Sequence, residues 1–152
     1  MVMTNPRRAG WVALALTMVA GFEGLRQAAY LDPVGIPTIC FGETKGVRLG
    51  QRATPAQCEA MLADSLAIAN RAVDACIRAP LGDYRRAALV SFAYNVGQAN
   101  LCSSTLARKM NAGDTVGACN ELPRWNRAKG IVLPGLTRRR ATEQAMCLGA
   151  LP

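Results

Sequence analysis

Acid-catalysed cleavage of a glycosidic bond by water needs one carboxyl group that keeps its proton and a second, ionised group beside the attacking water or the developing cation. Residues 21–44 supply candidates for both. Glu23 follows an apolar run, Asp32 adjoins a proline–glycine turn, and Thr38 lies where extended, β-type sequence resumes. Glu23 sits where the preceding helix should end, with Gly24 at its C′ position. Unpaired carbonyls at that end disfavour a carboxylate, and apolar Phe22 and Leu25 add desolvation. Glu23 is therefore expected to hold its proton and Asp32, next to a turn, to stay ionised. Taken as residue types alone, the same pair also reads as two surface acids around a hairpin.

The elements that must position these groups are visible in the pattern. Residues 10–22 carry no charge and read as a helix ending at Glu23. Residues 28–50, with Pro33, Gly35, Pro37, Gly42, Gly46 and Gly50, predict a short antiparallel hairpin or three-stranded ribbon holding Asp32 and Thr38 opposite Glu23. Thr54-Pro55-Ala56-Gln57 is a capping box with proline at the first helical position. Behind it Cys58, Met61, Leu62, Ser65, Leu66, Ala69, Ala72, Val73 and Cys76 recur at helical spacing, to about Ile77, as a packing stripe. Asp83 is placed to cap a helix over 84–96 that has almost no polar face and should be buried on most sides. Asn95 on it reads as a satisfied buried amide rather than a groove residue. Ser103 or Ser104 should cap a short helix through Met110, and Asp114 another through about Leu122. A basic, glycine-containing loop follows over 126–135, and a last helix opens at Leu136 or Thr137 and runs to about Leu148.

Composition narrows the chemistry. At 152 residues, 51% of them hydrophobic, the chain can bury one core, and no repeat or linker interrupts it. Eighteen basic against ten acidic residues give a formal net charge of +8, which favours a polyanionic partner or an anionic surface. Two Trp, three Tyr and three Phe, without a zinc-finger or RNA-recognition signature, do not support a nucleic-acid partner; an anionic bacterial envelope fits the charge. The absence of histidine removes Ser-His and Cys-His nucleophilic catalysis. Six cysteines without a Cys-x-x-Cys pair argue for disulfides in an oxidising compartment rather than for a metal site, and no cofactor is expected. Arg124, Arg127, Lys129, Arg138, Arg139 and Arg140 cluster towards the C-terminal end. They read either as a solvated face or as a basic rim beside the site that draws the protein to the envelope and weakens with salt.

The spacing of Glu23, Asp32 and Thr38, with Gly35-Ile36-Pro37-Thr38-Ile39, resembles the catalytic segment of phage-type lysozymes, glycoside hydrolase family 24. Tyr94-Asn95-Val96-Gly97, Ser104-Thr105-Leu106, Lys109 to Asp114, Arg124-Trp125 and Leu133-Pro134-Gly135-Leu136 ahead of Arg138-Arg139-Arg140 continue the likeness. The resemblance implies an α+β, mainly helical, lysozyme-like fold, with a small antiparallel β lobe and a larger helical lobe around a cleft. It implies one domain over 1–152: a basic start and apolar first helix or export segment over 1–22, a catalytic β region over 23–53 and a helical lobe over 54–152. The implied activity is a muramidase cutting the β-1,4 bond between N-acetylmuramic acid and N-acetylglucosamine in peptidoglycan, for lysis of the bacterial host. Glu23 would be the general acid and Asp32 and Thr38 would position the water, with inversion. Exported relatives carry cysteines matching Cys40 and Cys58, and Cys119 and Cys147, which leaves Cys76 with Cys102. A monomer in the host periplasm is expected.

Residues 1–9, with Pro6, Arg7 and Arg8, followed by the apolar run, are similar to the first two regions of a signal peptide. Cleavage near Ala20 would strip Glu23 of the helix that should hold it, so removal is not expected. The run is either the first core helix or resembles the signal-arrest-release segments of some phage lysozymes, which engage the inner membrane and then pack into the enzyme; residues 10–22 would make that transient contact. The family commonly has Gly-His-Thr where this chain has Gly42-Glu43-Thr44, placing a third acid near the site. Two rival activities remain at this level: a lytic transglycosylase using the same glutamate without Asp32 or Thr38, and a non-enzymatic basic envelope-binding or membrane-disrupting protein.

Overall fold

The computed structural model describes residues 10–150, so the basic start over 1–9 lies outside the described residues. They form seven α-helices and two antiparallel two-stranded sheets. They divide into two compact units, one ending at Leu66 and the other beginning at Ala67.

The first unit opens with α1 (Gly10–Glu23), in which Ala15, Leu16 and Val19 are fully buried. It stops where Gly24 turns to φ +72° and its N–H donates to the Ala20 carbonyl at 3.0 Å. A left-handed residue in that place satisfies a terminal carbonyl and cannot extend the helix. Strands β1 (Arg26–Leu31) and β2 (Pro37–Cys40) then pair as a hairpin, with Tyr30 opposite Thr38 and Leu31 opposite Pro37. The third strand of a ribbon is reduced to single bridges, Ala28 to Arg52 and Ile39 to Glu43. α2 (Pro55–Cys76) starts as the capping box requires: the Gln57 N–H donates to Thr54 Oγ1 at 3.1 Å, and the Thr54 N–H donates to Gln57 Oε1 at 2.8 Å. A disulfide between Cys40 and Cys58 fastens β2 to the first turn of α2.

In the second unit, α3 (Asp83–Val96) buries Ala87 to Ala93 without a break, as its apolar sequence requires. Asp83 is its first helical residue, not its cap. Gly82 occupies the cap with extended backbone, and the aspartate instead adds negative charge to the first turn. Asn95 is exposed, which rules out a buried amide. A short helix, α4 (Gln98–Cys102), precedes α5 (Thr105–Asn111), whose cap Ser104 accepts the Ala107 N–H at 3.0 Å. α6 (Thr115–Cys119) is capped by Asp114 but stops short of Leu122, and a 3₁₀ turn over Leu122–Arg124 accommodates Pro123. The expected loop over 126–135 contains a small hairpin, β3 (Arg127–Ala128) with β4 (Ile131–Val132). α7 (Pro134–Cys147) opens two residues early, because Pro134 serves as its first helical residue. Disulfides join Cys76 to Cys102 and Cys119 to Cys147.

The basic cluster splits. Arg139 and Arg140 are buried, although the sequence reading put them on an exposed basic face. A fully buried Glu143 on the same helix draws them in: Arg139 Nε lies 3.3 Å and Arg140 Nη2 3.0 Å from its Oε1, and Arg140 Nε lies 2.8 Å from its Oε2. Ser91 on α3 donates to the same carboxylate at 2.7 Å. Burial pushes the Glu143 carboxyl above its ordinary value, and these donors recover only part of that penalty. Arg140 also stands 5.0 Å from the Phe92 ring, which meets Trp125 edge to face.

Candidate active site

Asp32 directly follows β1 and governs the turn to β2. Pro33 takes the first corner, and the Gly35 N–H returns to the Asp32 carbonyl at 2.9 Å. One side-chain oxygen, Oδ1, accepts the N–H groups of Val34 and Ile36, both at 2.9 Å. Aspartate side chains commonly bond backbone two residues on, and here that habit orients the carboxylate. Oδ2 is left outside these two bonds.

Thr38 lies on β2, 4% exposed, and its hydroxyl donates to the Ile36 carbonyl at 2.8 Å. That carbonyl also accepts the Asp32 N–H at 3.0 Å. Ile36 therefore ties the two candidates together through both of its backbone polar groups: its N–H holds the carboxylate and its C=O holds the hydroxyl. With its proton committed, Thr38 Oγ1 has lone pairs to offer and can only accept a further hydrogen bond.

Glu23 is the last residue of α1 and is exposed, and Leu25 beyond it is 40% exposed. The apolar neighbours named in the sequence thus do not enclose it. Its carboxylate instead lies against the backbone of Gly42, where a side chain would come within 3.3 Å of Glu23 Oε2. Gly42 also has φ +88°, a conformation that favours glycine, and a side chain there would press on the Glu23 carboxylate.

Glu43 follows at once. Its backbone exchanges both hydrogen bonds with Ile39 at 2.9 Å, and Ser65 Oγ on α2 lies 2.9 and 3.0 Å from its two carboxylate oxygens. Burial pushes the Glu43 carboxyl above the ordinary carboxylate value; the Ser65 bond works against this, and the charges of Asp64 and Glu23 add to it. A run of contacts therefore leads from Glu23 over Gly42 to Glu43 and Ser65, beside the one that leads from Asp32 through Ile36 to Thr38. β2 and the turns on either side of it carry both.

Ser65 is the residue that sequence reasoning passed over, since it was absorbed into the packing stripe of α2. The available signal was its chemistry: a hydroxyl at a helical position between Leu62 and Leu66, both fully buried. Arg26, whose guanidinium stands 4.1 Å from the Tyr30 ring centre, makes a cation–π contact along β1 that the sequence does not announce. Among the described residues no group of three or more His, Cys, Asp or Glu side chains is placed to hold a metal ion, and no helix is long and apolar enough to cross a membrane.

Comparison with known proteins gives a consistent picture. The family profile described as Phage lysozyme matches residues 20–143, which includes every candidate named above. The chain is 40% identical over 146 residues to the SAR-endolysin of Bacteriophage PS119, covering 91% of this chain and 87% of that protein. Among solved structures, the endolysin from Escherichia coli O157:H7 phage FAHEc1 has a TM-score of 0.85 at 33% identity, covering 99% of this chain and 97% of that one. The active form of P1 phage endolysin Lyz has a TM-score of 0.83 at 28% identity, covering 95% and 86%.

Proposed function

Since this chain belongs to the phage lysozyme family, we propose that Glu23, Asp32 and Thr38 are its catalytic residues. The chain is a lysozyme-type hydrolase, an endolysin of the muramidase kind, and its family implies peptidoglycan as substrate. In the reaction Glu23, protonated, gives its proton to the glycosidic oxygen as the bond from that oxygen to the anomeric carbon of N-acetylmuramic acid breaks. A water attacks the same carbon from the opposite face, and its proton passes to Asp32. Thr38 Oγ1 accepts the water's other O–H and fixes its direction. The sugar leaves with inverted configuration, which in this mechanism goes with carboxyl groups roughly 6.5–9.5 Å apart.

The observation that carries this reading is the shared use of Ile36. A carboxylate and a hydroxyl acceptor are locked to the backbone of one residue, with the second acid set against Gly42 in the turn beyond β2. Such fixed acceptors favour a bound water over the waterless, anhydro-forming route of a transglycosylase. Relatives named SAR-endolysin support export to the periplasm with tethering at the inner membrane, and residues 10–22 are our candidate for that contact before they serve as α1. We take the working enzyme to be a monomer.

The test is turbidity loss of purified peptidoglycan with wild type, Glu23→Gln and Asp32→Asn, all with their disulfides formed, followed by mass and anomeric analysis of the fragments. Clearing by wild type alone, with hydrated products of inverted configuration, is expected. Anhydro products would replace this reading with a transglycosylase, and clearing by folded Glu23→Gln would remove Glu23 from the chemistry.

A further inference from the structure

From Leu122 to Thr142 the chain contains no acidic residue. With Arg139 and Arg140 withdrawn to Glu143, four cations of this stretch remain on the surface: Arg124, which pairs with Glu121 at 3.4 Å, and Arg127, Lys129 and Arg138. Between them stand three consecutive exposed aliphatic residues: Ile131 at 64% and Val132 at 43%, which as neighbours on β4 face opposite sides of the β3–β4 hairpin, and Leu133 just beyond it at 40%. Single exposed apolar residues are ordinary, but a contiguous run rimmed by one sign of charge calls for an occupant.

The hairpin is built to present this run. Lys129 and Gly130 both have positive φ, 50° and 78°, which gives the two-residue turn whose twist matches the flanking strands. Arg127 donates from Nη1 to the Gly130 carbonyl at 3.3 Å across that turn. At the base, the Leu133 N–H donates to the Asn126 carbonyl at 3.0 Å, and the Asn126 amide reaches Thr137 Oγ1 on α7 at 3.2 Å. Arg127 pairs directly with Val132, so a cation and an aliphatic side chain share one face.

We propose that this hairpin is a membrane-surface contact that docks edge-on onto an anionic phospholipid bilayer, with Ile131 and Val132 from the two faces of β4, and Leu133 beyond it, entering the boundary between headgroups and acyl chains while Arg127, Lys129 and Arg138 meet lipid phosphates. The pairing of the two chemistries selects this occupant. Nucleic acid would use the cations but offers nothing to aliphatic side chains, and single strands call for aromatic stacking that the hairpin lacks. Carboxylates of a glycan-linked peptide would also use the cations, yet a hydrated polymer has no apolar depth for three aliphatics. An anionic bilayer accepts both at once, as it does for amphipathic helices that lie at its surface. This contact is separate from that proposed for residues 10–22, because it uses the folded second unit and needs no segment to span the bilayer.

The experiment is co-sedimentation of the full, disulfide-bonded chain with vesicles of phosphatidylglycerol and phosphatidylethanolamine, and with vesicles of phosphatidylcholine alone. Two double variants are compared with wild type, Ile131→Ser with Val132→Ser and Arg127→Gln with Lys129→Gln, each checked by near-ultraviolet circular dichroism. Binding to the anionic vesicles at low salt should weaken about tenfold or more in both. At high salt the charge variant should converge on wild type, while the aliphatic variant should stay weaker. Wild-type vesicle binding by both variants would overturn the proposal. So would unchanged vesicle binding together with reduced binding to purified peptidoglycan, which would assign the hairpin to the cell wall.

Discussion

The β1–β2 region and the α3–α7 pair each hold a carboxylate in place, by opposite means. Asp32 is held through one oxygen by backbone N–H groups of its own turn, and it remains half-buried with a second oxygen to spare. Glu143 is held by two guanidinium groups and a serine hydroxyl, and it is fully buried. Backbone tethers leave a carboxylate able to meet a new partner. Ion pairs sealed in the interior commit it to the partners it has. Burial and charge pairing therefore mark the carboxylate that closes the second unit, and a spare oxygen at a rigid turn marks the one proposed for chemistry.

The contrast is sharpest under substitution. Glu23→Gln should lower peptidoglycan hydrolysis by about 10²–10⁴-fold, with the thermal midpoint unchanged because its side chain is exposed; a large loss of stability would mean that Glu23 belongs with Glu143. Glu143→Ala should do the reverse. It strands two buried cations, at a cost of about 3–5 kcal/mol in denaturant-induced unfolding, while the fraction that stays folded keeps its turnover. Thr38→Val, nearly the same shape, should reduce kcat more than KM and cost about 1 kcal/mol of stability for the lost bond to Ile36.

The smallest effect concerns Glu43. Its carboxyl is held above the ordinary value of 4.5, so between 4.5 and that raised value the folded chain binds the proton more tightly than the unfolded chain. The resulting stability is present in full below 4.5 and is lost as the pH rises through the raised value. Glu43→Gln should flatten this decline, which thermal unfolding from pH 4 to pH 8 would show. A decline equally steep in the variant would place its origin in another group.

Much of this was legible in the chain, for reasons that differ by element. The α2 capping box could be read because both of its bonds are local, between Thr54 and Gln57. Gly24 could be read as a helix stop because a single residue's conformation decides it. Asp32 and Thr38 were identifiable by type, but their joint dependence on Ile36 was not, since it arises from a turn geometry that several sequences could adopt. The fate of Arg139 and Arg140 was hidden more deeply. Three consecutive arginines look solvated until an acid three and four residues on, together with a serine on another helix, draws two of them inside. Cysteine pairing entered through family resemblance, because spacing alone leaves every pairing open.

Two backbone N–H groups converge on Asp32 Oδ1, so whatever atom stands there must be an acceptor. In Asp32→Asn the amide oxygen has to take that place, which forces the NH₂ group into the position of Oδ2. The substitution thus reverses polarity at the outward atom, replacing a lone pair with a hydrogen, and the backbone forbids the flip that would hide the change. The hairpin breaks the symmetry of a symmetric functional group before any ligand arrives, whereas Asp32→Ala would leave both N–H groups without their acceptor and loosen the turn itself.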